Sequence, residues 1–406
     1  MSPSATPARH PSLRFIVTVL AVAAGASVGN LYLLQPLLPS VARGFGTSAR
    51  AVGVVSMLTQ VGYGAGMFLF VPLGDVVERR GLMLLLLGLV AVALLGVAGA
   101  PSVPLLAIAS LAVGMTTVVP QLAVPLAAHL APAEERGRAV GTVLGGLLVG
   151  ILLARTASGF LGAHLGWRAV YVCAAALTVL LAAALRALLP RSPPDATMPY
   201  GALLQSLFTL VREEPALREA SLLGALGFAA FSVFWTTLAF FLEASHGLGS
   251  DAAGLFGLLG AAGALAAPVL GRLADRMSPR ANAGIALAVA LAGYAVFAAA
   301  GAALAGLVAG VVLLDVGVQG AHVSNLARIH ARRPEARSRM NTVYMVAYFA
   351  GGALGTVVGT SAWSAGGWLA ACAAGAAFLA AALARWALGA RAAAAAGAAA
   401  ARHAGG

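Results

Sequence analysis

The sequence predicts an all-α membrane protein of twelve transmembrane helices, arranged as two pseudo-symmetric six-helix bundles. Three observations predict it. Hydrophobic residues make up 61% of the 406 residues and charged ones 9%, whereas a soluble domain keeps about a quarter of its residues charged. The charges lie in short clusters between apolar runs of the ~20 residues that a bilayer crossing needs. The two halves of the chain also repeat at an offset near 200 residues.

The runs give the elements in order. Phe15–Ala42 is one span, too long for the 7–15-residue core of a signal peptide, and is expected to be uncleaved. Ala51–Gly74 is the second. Gly81–Ala133 holds the third and fourth, divided at Gly99-Ala100-Pro101-Ser102. Ala139–Gly166, interrupted by Arg155, is the fifth and Ala169–Leu185 the sixth. A polar stretch with Pro190, Pro193, Pro194 and Arg212-Glu213-Glu214 follows. Ala220–Leu242 and Ala252–Leu270 are spans seven and eight. Ala281–Ala327 holds nine and ten, and Met340–Ala384 holds eleven and twelve on either side of Gly366-Gly367. The expected organisation is a bundle over 1–190, a cytoplasmic linker over 191–217, a second bundle over 218–388 and an Ala-rich, frayed tail over 389–406.

Orientation follows from arginine. The chain carries 25 basic residues, all Arg, and with a cytoplasmic N-terminus 21 of them fall on the inside. That is the asymmetry of the positive-inside rule. The localisation expected is a bacterial cytoplasmic membrane with both termini inside. A net charge of +12 distributed this way points to topology, not to nucleic acid. Cys173 and Cys372 lie in apolar segments with no disulfide or zinc spacing. No metal and no cofactor are expected.

The repeat is carried by polar residues at equivalent loops. Leu73-Gly74-Asp75 answers to Leu273-Ala274-Asp275 and Arg80 to Arg280. Glu135, Thr142 and Val143 answer to Glu335, Thr342 and Val343, and Gly166-Trp167 to Gly367-Trp368. Two parallel six-helix halves joined by a long cytoplasmic loop form a known transporter plan.

The loop Pro72-Leu73-Gly74-Asp75-Val76-Val77-Glu78-Arg79-Arg80 resembles the major facilitator motif G-x-L-a-D-R-x-G-R-R. Gly271-Arg272-Leu273-Ala274-Asp275-Arg276 is closer to that pattern; the first copy has Val71, Val76 and Glu78 at three of its positions. Asn30-Leu31-Tyr32, Gln35-Pro36-Leu37-Leu38-Pro39 and Asn341-Thr342-Val343-Tyr344-Met345 resemble the bacterial drug:proton antiporter-like branch. The resemblance covers about residues 15–388. It implies that Asp75, Arg79, Arg80, Asp275, Arg276 and Arg280 form a cytoplasmic gate that locks while the protein faces outward. Physically, Asp75 suits the N–H groups and partial positive charge at the start of span eleven, and Asp275 those of span five. The arginines could equally serve topology alone.

Within the spans, Asp315 is the one clear mid-membrane acid. An ionised Asp there costs roughly 2.5–3.5 kcal/mol on insertion scales, so such a residue faces a cavity or a partner. Asp315, Gln319, His322 and Asn325 follow at helical spacing and share one face. In the family's plan, spans one, four, seven and ten line the central cavity. Asp315 is expected to bind and release protons, or to hold a fixed ion pair. His322 either relays protons with it or packs. Arg155 occupies the region where the antiporters carry a Gly-Pro pair, whose Pro is absent here; it either pairs with Asp315, binds an anionic substrate, or snorkels outward. Further cavity candidates are Asn30, Tyr32, Gln35, Gln121, Ser232, Trp235, Thr236, Tyr344 and Tyr348, aromatics beside amides that suit an amphipathic organic molecule. Each could also be interhelical glue. Pro120 and Pro125 are expected to bend span four.

The function expected is secondary transport of a small organic molecule by alternating access, coupled to protons in the direction of export. Metabolite uptake or exchange is the alternative, and a receptor or scaffold that kept the fold is the non-transport one. The partners are substrate, protons and lipid, with no nucleic acid, and the chain is expected to be a monomer. No HExxH, no P-loop and almost no intramembrane acid or His are present, so an enzyme is not expected.

Overall fold

The computed structural model describes residues 12–192, 198–260 and 277–404, and these are helical with no strand among them. The first predicted span is not one helix. α1 (Leu13–Gly29) starts on Ser12, whose hydroxyl accepts from the Phe15 N–H at 3.4 Å. The chain then turns through residues 30–34 and a short 3-10 segment, Gln35–Leu37, into α2 (Leu38–Gly44). Pro36 and Pro39 lie beyond the break and keep a continuous ladder from resuming there, because neither has an N–H. Tyr32 and Gln35 are thereby placed on an irregular, buried segment.

The remaining elements follow the predicted runs closely: α3 (Ala49–Val76), α4 (Arg79–Ala98), α5 (Val103–Thr116), α6 (Val119–Leu130), α7 (Arg136–Leu165) and α8 (Trp167–Leu188). The fourth span bends between α5 and α6, just before Pro120. The linker, whose prolines and charges predict a connection only, carries α9 (Tyr200–Glu213). Its Leu203, Leu207 and Leu210 recur at i, i+4 and i+7 and are buried. Then come α10 (Pro215–His246), α11 (Ser250–Leu259), α12 (Pro279–Ala300), α13 (Leu304–His330) and α14 (Arg337–Ala404). α14 contains two predicted spans. It breaks at Gly366 and at Gly367, whose φ of 65° lies in the left-handed region that a side chain disfavours. The tail expected to fray continues the helix to Ala404, as an Ala-rich run allows.

Among the described residues nine helices are long and apolar enough to cross a membrane. The difference from twelve has visible sources. α1 has 17 residues before its break, α11 reaches the edge of the described residues, and α14 holds two spans.

The internal repeat is present in the backbone. Among the described residues, the positive-φ glycines are Gly46 and Gly247, and Gly166 and Gly367, two pairs each 201 residues apart. The close helix contacts repeat as well. A Cβ on Gly25 or Gly150 would strike the facing backbone of α7 or α1; one on Gly351 would strike Ala225 across α14 and α10. These positions let backbones approach where lipid supplies no hydrophobic drive for association.

The described contacts between halves gather toward one end. There Arg43 of α2 pairs with Glu243 of α10. A Cβ on Gly53 would collide with Thr360, and one on Gly159 with Ser250. Thr156 donates to the Gly254 carbonyl at 3.1 Å, and the Ser250 hydroxyl donates to the Gly159 carbonyl at 3.1 Å. Deeper in, the Gln60 amide donates to Thr356 at 2.7 Å.

Candidate functional site

Beside the Thr156–Gly254 contact the two halves meet in a cluster around Arg155 of α7, which is 2% exposed. Its Nε donates to the Gln35 side-chain carbonyl at 2.8 Å. Its guanidinium carbon lies 3.9 Å from the centroid of the Trp235 ring, 4.7 Å from Tyr32 and 5.6 Å from Phe231. Such faces attract a cation through the ring quadrupole, more strongly when water is excluded. The far edge of the Trp235 indole donates its N–H to Asp315 Oδ1 at 3.4 Å. Trp235 therefore bridges a buried cation in one half to a buried acid in the other. Asp315 thus accepts from Trp235 and, among the described contacts, not from Arg155.

Gly257 of α11 and Gly260, just after it, make room. A Cβ on Gly257 would meet the Arg155 side chain at 2.7 Å, and one on Gly260 would meet Asp315 Oδ2 at 2.8 Å. Among the described residues, Arg155 Nη2 is buried without a hydrogen-bond partner, as is the Asn30 amide nitrogen. Buried donors are nearly always satisfied in native proteins, so each unsatisfied one calls for an explanation.

An aromatic wall continues from the cage. Phe231 stacks on Phe228 at 5.5 Å, and Phe228 on Tyr348 at 4.1 Å. Tyr348 lies 4.8 Å from His322, whose Nδ1 is 3.1 Å from the Tyr344 hydroxyl. On the other side Phe349 meets Tyr63 edge-on at 4.5 Å, and Gln121 donates to the Tyr63 hydroxyl at 3.2 Å.

The predicted cavity residues thus divide. Tyr32, Gln35, Trp235, Arg155 and Asp315 come together. His322, Tyr344, Tyr348 and Asn325 form a second group along the wall, Asn325 being fully buried. His322 bonds to Tyr344 and not to Asp315. Thr236 donates to the Ser232 carbonyl of its own helix, and Ser232 is buried beside it. Gln319 is half-buried. Sequence reasoning missed Phe228 and Phe231, since aromatics within an apolar run carry no signal of their own.

Among the described residues, several contacts of the predicted gate residues fall within one half. Arg79 donates to the Gly74 carbonyl at 3.1 Å and to Asp75 at 3.3 Å, and Arg80 donates to the Arg186 carbonyl at 2.5 Å. Glu78, which departs from the motif, caps α4 by accepting from the N–H groups of Arg80 and Gly81 at 3.1 and 2.7 Å, and also accepts from the Ser192 N–H. Partial burial pushes its carboxyl up, but these amides and the Arg80 charge outweigh that and hold it below the usual carboxylate range. Its repeat mate Ser278 caps α12 in the same way. Arg280 binds Glu219 at 2.9 Å and the Trp386 carbonyl. Glu219 also takes Arg328 at 2.5 Å. Asp275 and Arg276 lie outside the described residues.

The chain matches the family model described as Major Facilitator Superfamily over residues 20–356. It is 39% identical over 382 residues to the uncharacterized transporter YgaY of Escherichia coli O157:H7, covering 94% of this chain and 97% of that one. It is 32% identical over 265 residues to a chloramphenicol resistance protein of Streptomyces lividans, covering 64% of this chain and 66% of that one. In fold it is similar to a bacterial homologue of the human lysosomal transporter Spinster, with a TM-score of 0.78, 17% identity, and coverage of 95% and 98%.

Proposed function

The chain belongs to the Major Facilitator Superfamily of membrane transporters, and on that premise we propose that it exports a small organic molecule across the cytoplasmic membrane by alternating access, coupled to protons through Asp315. The observation that carries this reading is the Arg155–Trp235–Asp315 bridge. It joins the two halves inside the bundle, where a cargo must be held in both the inward and the outward state.

Closure at the Arg43–Glu243 end fits a state whose cavity opens to the opposite, cytoplasmic end. Rocking the halves apart at Gly53–Thr360 and Gly159–Ser250 would expose the site to the outside. Glycine-lined contacts suit such motion, because few side chains must repack. The desolvation of Asp315 changes as the site is wetted from one side or closed, and so does its affinity for a proton. Export is the direction supported by the chloramphenicol resistance relative.

A comparison of metabolites in cells with and without the protein identifies the cargo. Reconstituted vesicles then test coupling. Asp315→Asn is expected to abolish uphill, proton-driven transport and to leave exchange of cargo against cargo. Undiminished uphill transport by that variant would overturn the role of Asp315.

A further inference from the structure

Arg155 is harder to account for than Asp315. A guanidinium taken out of water needs compensation, and a cation that lacks a direct carboxylate partner is costly to bury. Here compensation comes from three ring faces and one amide carbonyl. Nη2 has no hydrogen-bond acceptor among the described residues. Asp315, the nearest buried acid in the cluster, is turned to the indole N–H. A purely structural arginine would close its fork on that carboxylate. This one has its Nε fixed by Gln35 and its plane fixed by Trp235, so the free edge is held in place with its donor unused.

That arrangement is preorganised for an oxyanion. A planar guanidinium recognises a carboxylate through parallel N–H donors, and such charge-assisted bonds are roughly twice as strong as neutral ones. Asn30, five residues before Gln35, carries a second buried and unpartnered amide donor on the same irregular segment. Beyond the cage the wall is aromatic, running through Phe231, Phe228 and Tyr348. One free cationic edge beside an existing acid accommodates a single negative charge, and the rings accommodate an apolar body.

We propose that Arg155 binds the carboxylate of an amphipathic organic monoanion, and that such monoanions are the substrate class. The proposal rests on the transporter reading for the word substrate, and it is independent of direction and of coupling. Arg155 is then a binding residue, with Gln35 and Trp235 positioning it.

The test is calorimetric titration of the purified full-length protein in detergent. The probes are benzoate, 3-phenylpropionate and octanoate, each set against its own primary amide, which matches its shape without the charge. At least one carboxylate is expected to bind roughly tenfold or more tightly than its amide, the size of one charge-assisted hydrogen bond. Arg155→Gln should erase the preference. Arg155→Lys, which keeps the charge but loses the fork and the stacking plane, should retain only part of it. Arg168→Gln should leave it intact, since Arg168 is exposed and stacks on Trp167 away from the cluster. Equal binding of acids and amides, or no binding by any pair, overturns the proposal, as does a preference that survives Arg155→Gln. If Arg155→Gln does not fold, the acid–amide comparison on the wild type and Arg155→Lys still decides. Because binding is read without transport, the two readings fail separately. Carboxylates that bind but are not carried by vesicles sink the transporter reading, while preferred amides sink this one.

Discussion

Trp235 does two things that no single charge in the site does alone. Its face holds Arg155 and its edge holds Asp315, so one side chain sets the separation of the two intramembrane charges. Arg155 and Asp315 were legible because a charge inside an apolar run announces itself by its insertion cost. Trp235 was legible only as a candidate, since its bridging role depends on how α7, α10 and α13 are brought together. Glu219 was missed because it sits beside Arg218 at the mouth of a span and reads as a surface charge. In the fold it is 7% exposed and holds both Arg280 and Arg328. Removing one partner of a buried ionic network costs about 3–5 kcal/mol, because the others are stranded. Glu219→Ala should therefore lower the Tm of the detergent-purified protein by several degrees, and Glu219→Gln by less. An unchanged Tm for Glu219→Ala would mean that water compensates the two arginines.

At the scale of elements, runs free of charge located the crossings well, because a bilayer penalises charge wherever it falls in a span. They did not locate breaks. α1 ends near Asn30 although the apolar run continues to Ala42; the backbone shifts there to i→i−3 bonds, and Pro36 and Pro39 lack the donors for a continuous ladder beyond it. α9 was hidden for the opposite reason. Its flanking prolines and charges marked the segment as a linker, while Leu203, Leu207 and Leu210 kept a helical spacing within it. The paired glycines carry a prediction of their own. Gly355 lies against the Ala229 backbone, whereas a Cβ on Gly145 meets nothing within 4 Å among the described residues. Gly355→Val should destabilise by about 1–3 kcal/mol through overpacking, read as a lowered Tm. Gly145→Val should leave the Tm within a degree or two, and equal losses for both would argue against glycine-specified packing of α10 on α14.

For the molecule as a whole, the repeat was the most informative feature of the sequence, and the structure extends it. The glycine pairs at an offset of 201, the caps at Glu78 and Ser278, and the bridge between Arg43 and Glu243, themselves 200 residues apart, all respect one internal two-fold relation. Arg43 and Glu243 sit within one residue of equivalent positions of the two halves and meet where the halves close, so a bond there resists their separation. The central claim is that cargo crosses only if this end opens and closes. It is tested most directly by transport of the identified cargo in vesicles carrying Arg43→Cys with Glu243→Cys, in a background where Cys173 and Cys372 are replaced. Cross-linking that pair is expected to stop transport, and reduction to restore it; undiminished transport by fully cross-linked protein would contradict the account.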